Sequence, residues 1–594
     1  MAALSDKSEL QTAAHLQAQS LDRYEEDVLK RSVILHQAFQ EYRDHGKDMP
    51  RKTVVTKYFL HKILQDFKRQ GIDLSVAQRT ELVGLEKDIK QLVSQYLSNI
   101  EYDSRKIIVP VKGLKGLSKG FIQSLRKDVH GDCIVPVDQT TYNSIMRDCR
   151  IERTRKEFYL AFGQRAYPQN MSVLQDIMQF GHTYATKLDF TDLASYQIQN
   201  QMLKQTKKVE SFLWNLIYEL QKYETVDFQE FTKDLPDSVT LTKDKKIKPW
   251  DYDFVVASYR KKHFDLPKRV SEYFQVEQVL PKLLHLLHSL FYIEFELKEV
   301  EDEQLWAPGV ICYRVRSLKN QTVIGYLFLD LYKRPGKKVK HPMHMTLVPT
   351  IKDDCSISCA GSSVLAANFA LSSEEKPTLL SFDDVKTLFK QLGHSMHDLI
   401  GSTCFADFAG TQVEKDFLKT PSHVLEFWLH DAKTLQSISS HYKTGQKLSK
   451  DKIEQMFAAH EFDQGHILLK EAFVDLVSLN LFKEGAQRDT HKIIEKMYKK
   501  VFKHIGYDAS YYIEYTTPSI VTNMALDYID LWSKTTAADL YDHMQQSGMN
   551  YDIGKEYLKH ILQPGGFASP AVMMKRFLRR SINHYALFKQ FKKE

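Results

Sequence analysis

The sequence predicts a mainly α-helical chain interrupted once by a small β-sheet, on three observations. Apolar residues recur at helical spacing through the first 300 residues. Short β-branched and aromatic runs cluster between about Val310 and Leu371. Helical periodicity then returns and holds to the end.

In order along the chain, Leu21, Tyr24, Val28, Leu35 and Phe39 form a helical stripe expected to pack in a core. Leu82, Leu85, Ile89, Leu92 and Tyr96 repeat with Glu and Lys between them, as on a helix packed against another helix. "VPVKGLKGLSKG" (Val109–Gly120) is a Lys-interleaved loop without the spacing of a phosphate loop. The richest apolar run, Leu280–Phe295, is broken by Lys282, His285 and His288, so it predicts a buried helix and not a membrane span. "VICYRV", "TVIGYLFLDLYK", "HMTLVPTI" and "SSVLAANFAL" predict the strands of the sheet. After them Ser381 and Asp384 fit a capping box. Val385, Leu388, Phe389, Leu392, Met396 and Leu399 then make the apolar face of a helix whose polar face carries Lys386, Lys390, His394 and His397. This organisation divides the chain into an N-terminal helical lobe (1–150), a further helical region (151–309), the sheet (310–371) and a helical C-terminal region (372–594).

Composition excludes several classes. The chain of 594 residues is 43% hydrophobic and 26% charged, as ordinary globular proteins are. Its formal charge of +7 is spread thinly; "KDKKIK" and "GKKVKH" read as solvated loops, and no nucleic-acid partner is expected. The start lacks a secretory pattern and no apolar run reaches membrane-spanning length, so a cytoplasmic protein without membrane attachment is expected. Six cysteines in so long a chain make no disulfide framework, and the Cys355/Cys359 pair has no second pair at zinc-site spacing.

Several stretches in one order carry a resemblance: "KPWDYDF", "GYLFLDLYKRPGK", "SSVLAANFAL", "FKQLGHSMHDL", "EKDFLKTPSHVLEFW", "GYDASYYIEY" and "LQPGGFASPAVMMKRFLRR". Together they resemble the thimet oligopeptidase and neurolysin family of zinc metallopeptidases, most densely from about Trp250 to Arg580. The resemblance implies a large helical ellipsoid split by a deep, narrow channel that admits short peptides. It places the metal on a helix beside the small sheet.

A zinc peptidase helix of this type reads F-H-E-x-G-H-x-M-H, with two imidazoles one turn apart, a Glu as general base, and a third ligand Glu downstream. This chain reads Phe389-Lys390-Gln391-Leu392-Gly393-His394-Ser395-Met396-His397, and Lys419 stands at the third-ligand position. On the resemblance, Lys390, His394 and Lys419 are degenerate metal-ligand positions and Gln391 is the former general-base position. No zinc, other cofactor or catalytic residue is then expected. The lysines either fill the space of the lost ion and pair with carboxylates such as Glu414 and Glu426, or offer an anion-binding spot. In the family's tyrosine loop, Tyr507 and Tyr511 match two substrate-binding tyrosines, while the last becomes Glu514 and one glycine is missing.

The resulting expectation is a pseudopeptidase that binds a peptide or protein partner, or serves as a scaffold subunit of a larger assembly. The alternative is an active oligopeptidase or other hydrolase with a rebuilt site.

Overall fold

The computed structural model describes residues 3–5, 7–45, 54–264, 270–301, 305–353, 356–373, 376–483 and 488–591. It divides into two compact units: Met1–Ser75, Leu266–Glu454 and Trp532–Lys592 form the first, and Val76–Asp265 with Gln455–Leu531 the second.

The second unit is built on long helices. Val76–Glu101 lies along Gln169–Lys187, and Thr206–Thr232 along Gln464–Phe482. Leu82 and Tyr96 of the expected stripe are buried there. A three-stranded antiparallel sheet that periodicity did not reveal runs in the order Lys106–Val109, Cys133–Pro136, Arg126–Lys127. Its strands have no more than four residues, too few to show alternation. Within "KPWDYDF", Asp251 accepts a hydrogen bond of 2.6 Å from Arg155, and both side chains are fully buried. The Arg155 guanidinium also donates to the Cys149 carbonyl and lies over the Phe254 ring. These contacts compensate a charge that the interior would otherwise reject.

The first unit holds a five-stranded mixed sheet. Ile293–Lys298, Ile311–Ser317 and Val323–Tyr332 follow one another antiparallel; Gly361–Phe369 adds parallel to Val323–Tyr332, and Met343–Val348 closes the other side antiparallel. The sheet therefore begins before residue 310. The apolar run at 280–295 is not one helix: it stops at Phe291, Tyr292 turns left-handed at φ 53°, and Ile293 pairs with Ser317. Glu296 on the resulting edge strand is gripped by Arg314 and Arg316 of its neighbour at 2.6 and 2.5 Å.

Two other expectations are corrected. Leu21, Tyr24, Val28 and Leu35 are exposed, because a π-helical turn at Glu25–Leu29 and a break before Val33 interrupt the stripe. Only Phe39 of that set packs inward, on Phe59 and Phe67. Lys337 of "GKKVKH" is no loop lysine in solvent; its side chain is fully buried, 2.7 Å from Asp330. Arg334 and the Trp306 indole share that carboxylate.

Asp251→Ala leaves the Arg155 guanidinium buried without its counter-charge. It should cost about 3–5 kcal/mol in urea unfolding. A change within ~0.5 kcal/mol, the range of ordinary surface substitutions, would show the pair to be dispensable.

Candidate functional site

The helix Phe382–Ile400 starts at the expected capping box. Ser381 Oγ accepts from the Asp384 amide at 3.1 Å, and the Asp384 carboxylate accepts from the Ser381 amide at 2.9 Å. The helix lies on the five-stranded sheet and against the short helix Thr420–Phe427. At Gly393 the second contact leaves no room: a Cβ there would stand 2.7 Å from Ser422 Cα. Covered by sheet and helix together, the helix buries every residue from Leu392 to Ile400. The expected solvated polar face is therefore confined to its first half. Lys386, Lys390 and Gln391 are half-buried, whereas His394 and His397 belong to the interior.

One carboxylate joins helix to sheet. Asp398 accepts from His344 Nε2 and Thr346 Oγ1 of the edge strand, each at 2.6 Å, and from Thr411 Oγ1 at 2.7 Å. Burial works against its ionised form, but the His344 contact and the two hydroxyls hold its pKa down to about 2. Sequence reading missed His344 and Asp398. The signal was slight: an acid directly after His397, and a His alternating with Thr in a strand.

His394 stacks on His344 at 5.2 Å. Burial first, then the positive charge available to His344, His397 and Lys390, pushes its pKa down to about 2. Burial likewise lowers His397 and His430 to about 4 each. These rings are neutral at physiological pH. The Nδ1 of His394 and both ring nitrogens of His397 are buried and make no hydrogen bond among the described residues.

Lys419 is half-buried at the junction of the short helices Lys415–Leu418 and Thr420–Phe427, where its carbonyl accepts from Ser422 Oγ and the His423 amide. The two carboxylates proposed for the lysines part company. Glu414 pairs with Lys62 of the helix Val54–Arg69 at 3.1 Å. Glu426 accepts from His423 Nδ1 at 2.9 Å. Burial opposes ionisation of Glu426, yet the His423 contact and the charges of Lys390 and Lys534 hold its carboxyl below the ordinary range. The Lys390 charge is thus one of those that act on Glu426. Among the described residues no three His, Cys, Asp or Glu side chains are grouped to hold a metal ion. Cys355 lies outside the described residues, and Cys359 is an exposed free thiol.

The tyrosine loop belongs to the second unit. Glu514 is fully buried and accepts from His491 Nδ1 at 3.0 Å, while His491 Nε2 meets the Tyr507 hydroxyl at 3.1 Å. The Glu514 hydrogen bond raises the pKa of His491, outweighing partial burial. Tyr96 donates to the Glu514 carbonyl at 2.7 Å. Tyr511 points inward, its ring tilted against Tyr159 with centres 4.6 Å apart and close against Gly163, where a Cβ would meet the ring at 2.3 Å. His491 sits 16 residues before Tyr507 on its own helix, and nothing in the sequence linked the two. His504, nearer in sequence, bonds Thr225 and stacks on Phe228.

Long helices with a mixed sheet packed against one buried helix make a fold shared with solved structures of peptidases. The chain superposes with a TM-score of 0.55 on PZ peptidase A bound to an inhibitor, at 12% identity, over 100% of this chain and 86% of that one. A putative oligoendopeptidase F gives 0.55 at 12% identity, over 99% and 86%. The model of peptidase family M3 matches residues 145–593, and the chain belongs to that family. It is 26% identical over 538 residues to a probable thimet oligopeptidase of Arabidopsis thaliana, covering 88% of this chain and 73% of that protein. Oligopeptidase A of Escherichia coli is 24% identical over 601 residues, with 93% and 84% covered. No helix among the described residues is long and apolar enough to cross a membrane.

Gly393→Ala forces the two helices apart and should cost about 1–3 kcal/mol, read as a fall in the denaturation midpoint; an unchanged midpoint would contradict the close packing. The contribution of Asp398 is complete above its unfolded pKa near 4 and is lost as pH falls towards about 2. Asp398→Asn should therefore destabilise strongly at pH 7, and the difference from the parent should shrink steadily below pH 4. His397 and His430 act at higher pH. Their lowered values mean that the unfolded chain takes up protons first, so stability falls between about pH 6.5 and 4 by up to ~1.4 kcal/mol per pH unit for each ring. His430→Phe should flatten that slope in pH-dependent unfolding.

Proposed function

We propose that this member of family M3 is catalytically inactive and acts by binding a peptide or protein partner, or as a scaffold subunit of an assembly. The observation that carries the proposal is the donor set on the Phe382–Ile400 helix and after it. An ammonium has three donors and no lone pair, so Lys390 and Lys419 cannot ligate zinc. Their charges would repel a dication. The Gln391 amide cannot take a proton from water as a carboxylate does. His394 alone, a neutral imidazole, retains ligand chemistry. The residues present do not fit the zinc ion that the family implies, and no catalytic step is derived through it. The tyrosine loop supports the same reading, since the buried Glu514, at the position of the family's last tyrosine, is occupied by a hydrogen bond from His491. On this reading the protein holds no cofactor, works in the cytoplasm, and needs neither nucleic acid nor a membrane.

The relatives' names favour a second reading, hydrolysis of oligopeptides, which would require a site assembled from other residues.

Metal analysis of the purified protein together with quenched fluorescent peptides separates the two. We expect substoichiometric zinc and no chelator-sensitive cleavage; one zinc per chain with turnover abolished by chelator would overturn the proposal. Restoring Lys390→His, Gln391→Glu and Lys419→Glu together should return zinc binding with little turnover. Full turnover by that triple variant would show that Glu514 does not impair the loop.

A further inference from the structure

Within the second unit lies a cavity of about 260 Å³ whose walls are mostly aromatic. For scale, a dry protein cavity of ~150 Å³ already accepts a benzene-sized ligand. Six tyrosines line it, four of them being Tyr142, Tyr159, Tyr498 and Tyr511. Tyr498 donates to the Gly506 carbonyl at 3.2 Å. Among the described residues nothing hydrogen-bonds the hydroxyls of Tyr142, Tyr159 or Tyr511. Tyr159 is 9% exposed, so an unpartnered phenol in a nine-tenths buried side chain faces this space. Burial raises all four phenols, Tyr511 to about 12, and they remain neutral donors and acceptors at any physiological pH.

The charged groups on the lining are Asp253, Asp508 and Lys470, two carboxylates against one ammonium, with Lys470 paired to Asp253 at 3.3 Å. His466 also lines the cavity, and burial keeps its ring neutral. The protein's own cations already use these rings: Lys470 lies 5.6 Å from the centre of Tyr252 and Lys499 5.7 Å from that of Tyr507. Each class of ligand fares differently here. An anion would meet two carboxylates and the electron-rich ring faces. A purely apolar group would leave three phenols without partners, at a cost each time. A cation gains acceptors from the hydroxyls, attraction from the carboxylates and favourable ring faces.

We infer that this cavity is a binding site for a protonated amine or guanidinium carried on a short apolar stem. Its walls are set before any ligand arrives, because Tyr511 is wedged against Gly163. The inference goes beyond the inactive-homologue reading and is independent of it, since an active peptidase could hold the same cavity.

Calorimetric titration of the full chain tests it, with n-butylguanidinium and n-butylammonium as probes and n-pentanol and n-pentanoate as neutral and anionic controls. The cations should bind saturably at one site and the pentanoate should not bind. Tyr142→Phe/Tyr159→Phe keeps the rings and removes two acceptors; it should weaken both cations about tenfold and leave the pentanol response unchanged. Gly163→Ala, which drives Tyr511 into the cavity, should abolish cation binding in a chain whose circular dichroism shows it folded. Pentanol binding as tightly as the cations would overturn the site, as would absence of saturable cation binding or indifference to the double Phe substitution. A pentapeptide with a central Arg identifies the source. Tighter binding than butylguanidinium upholds the site as a receiver of basic side chains, and exclusion of the peptide while butylguanidinium binds upholds it for small free amines.

Discussion

The first unit is organised by the absence of a side chain at residue 393. Because Gly393 lets the backbone at Ser422 come so close that a Cβ would stand 2.7 Å from it, the helix Phe382–Ile400 is held on one side by a helix and on the other by a sheet. The consequence is electrostatic. A helix covered in this way cannot hydrate its polar groups, so Asp398 must collect three strong donors and the histidines must stay neutral. Lys390, one turn before His394, escapes because it lies where the cover thins. The contrast between neutral histidines in the interior half and lysines in the outer half is thus a product of packing. It leaves one imidazole with its Nδ1 unbonded beside a lysine's charge.

In the second unit the corresponding role belongs to Glu514. A fully buried carboxylate must be answered, and His491 answers it while also touching Tyr507. The loop is thereby tied to a helix by a hydrogen bond, and Tyr511 is tied to Gly163 by shape. Both anchors favour a wall that keeps one form over a loop that folds onto a ligand.

Much of this was legible in the residues. The capping box, the Leu82–Tyr96 stripe and the strands from Ile311 to Phe369 came from period and propensity, which are local properties. The resemblance named the family that the comparisons show. The errors come from features outside the local pattern, partners elsewhere in the fold and in one case a break in the helix itself. His394 and His397 looked like a polar face until the sheet covered them. Leu21 to Leu35 looked like core, but a π turn rotates successive positions away from a common side. Lys337 looked like a solvent lysine, yet Asp330 lies on the preceding strand. Glu414 was matched to the site lysines by proximity in sequence, whereas its partner Lys62 comes from 352 residues away. His491 and Asp398 were invisible for the same reason.

The edge strand Ile293–Lys298 alternates Glu294, Glu296 and Lys298 with apolar residues, and its acids are engaged by Arg314 and Arg316 from the neighbouring strand. A β-segment from another molecule approaching that border would have to lie alongside a row of paired charges and strip their water without offering replacements. This margin of the sheet therefore disfavours strand addition at one of the two edges where backbone hydrogen-bonding groups would invite it.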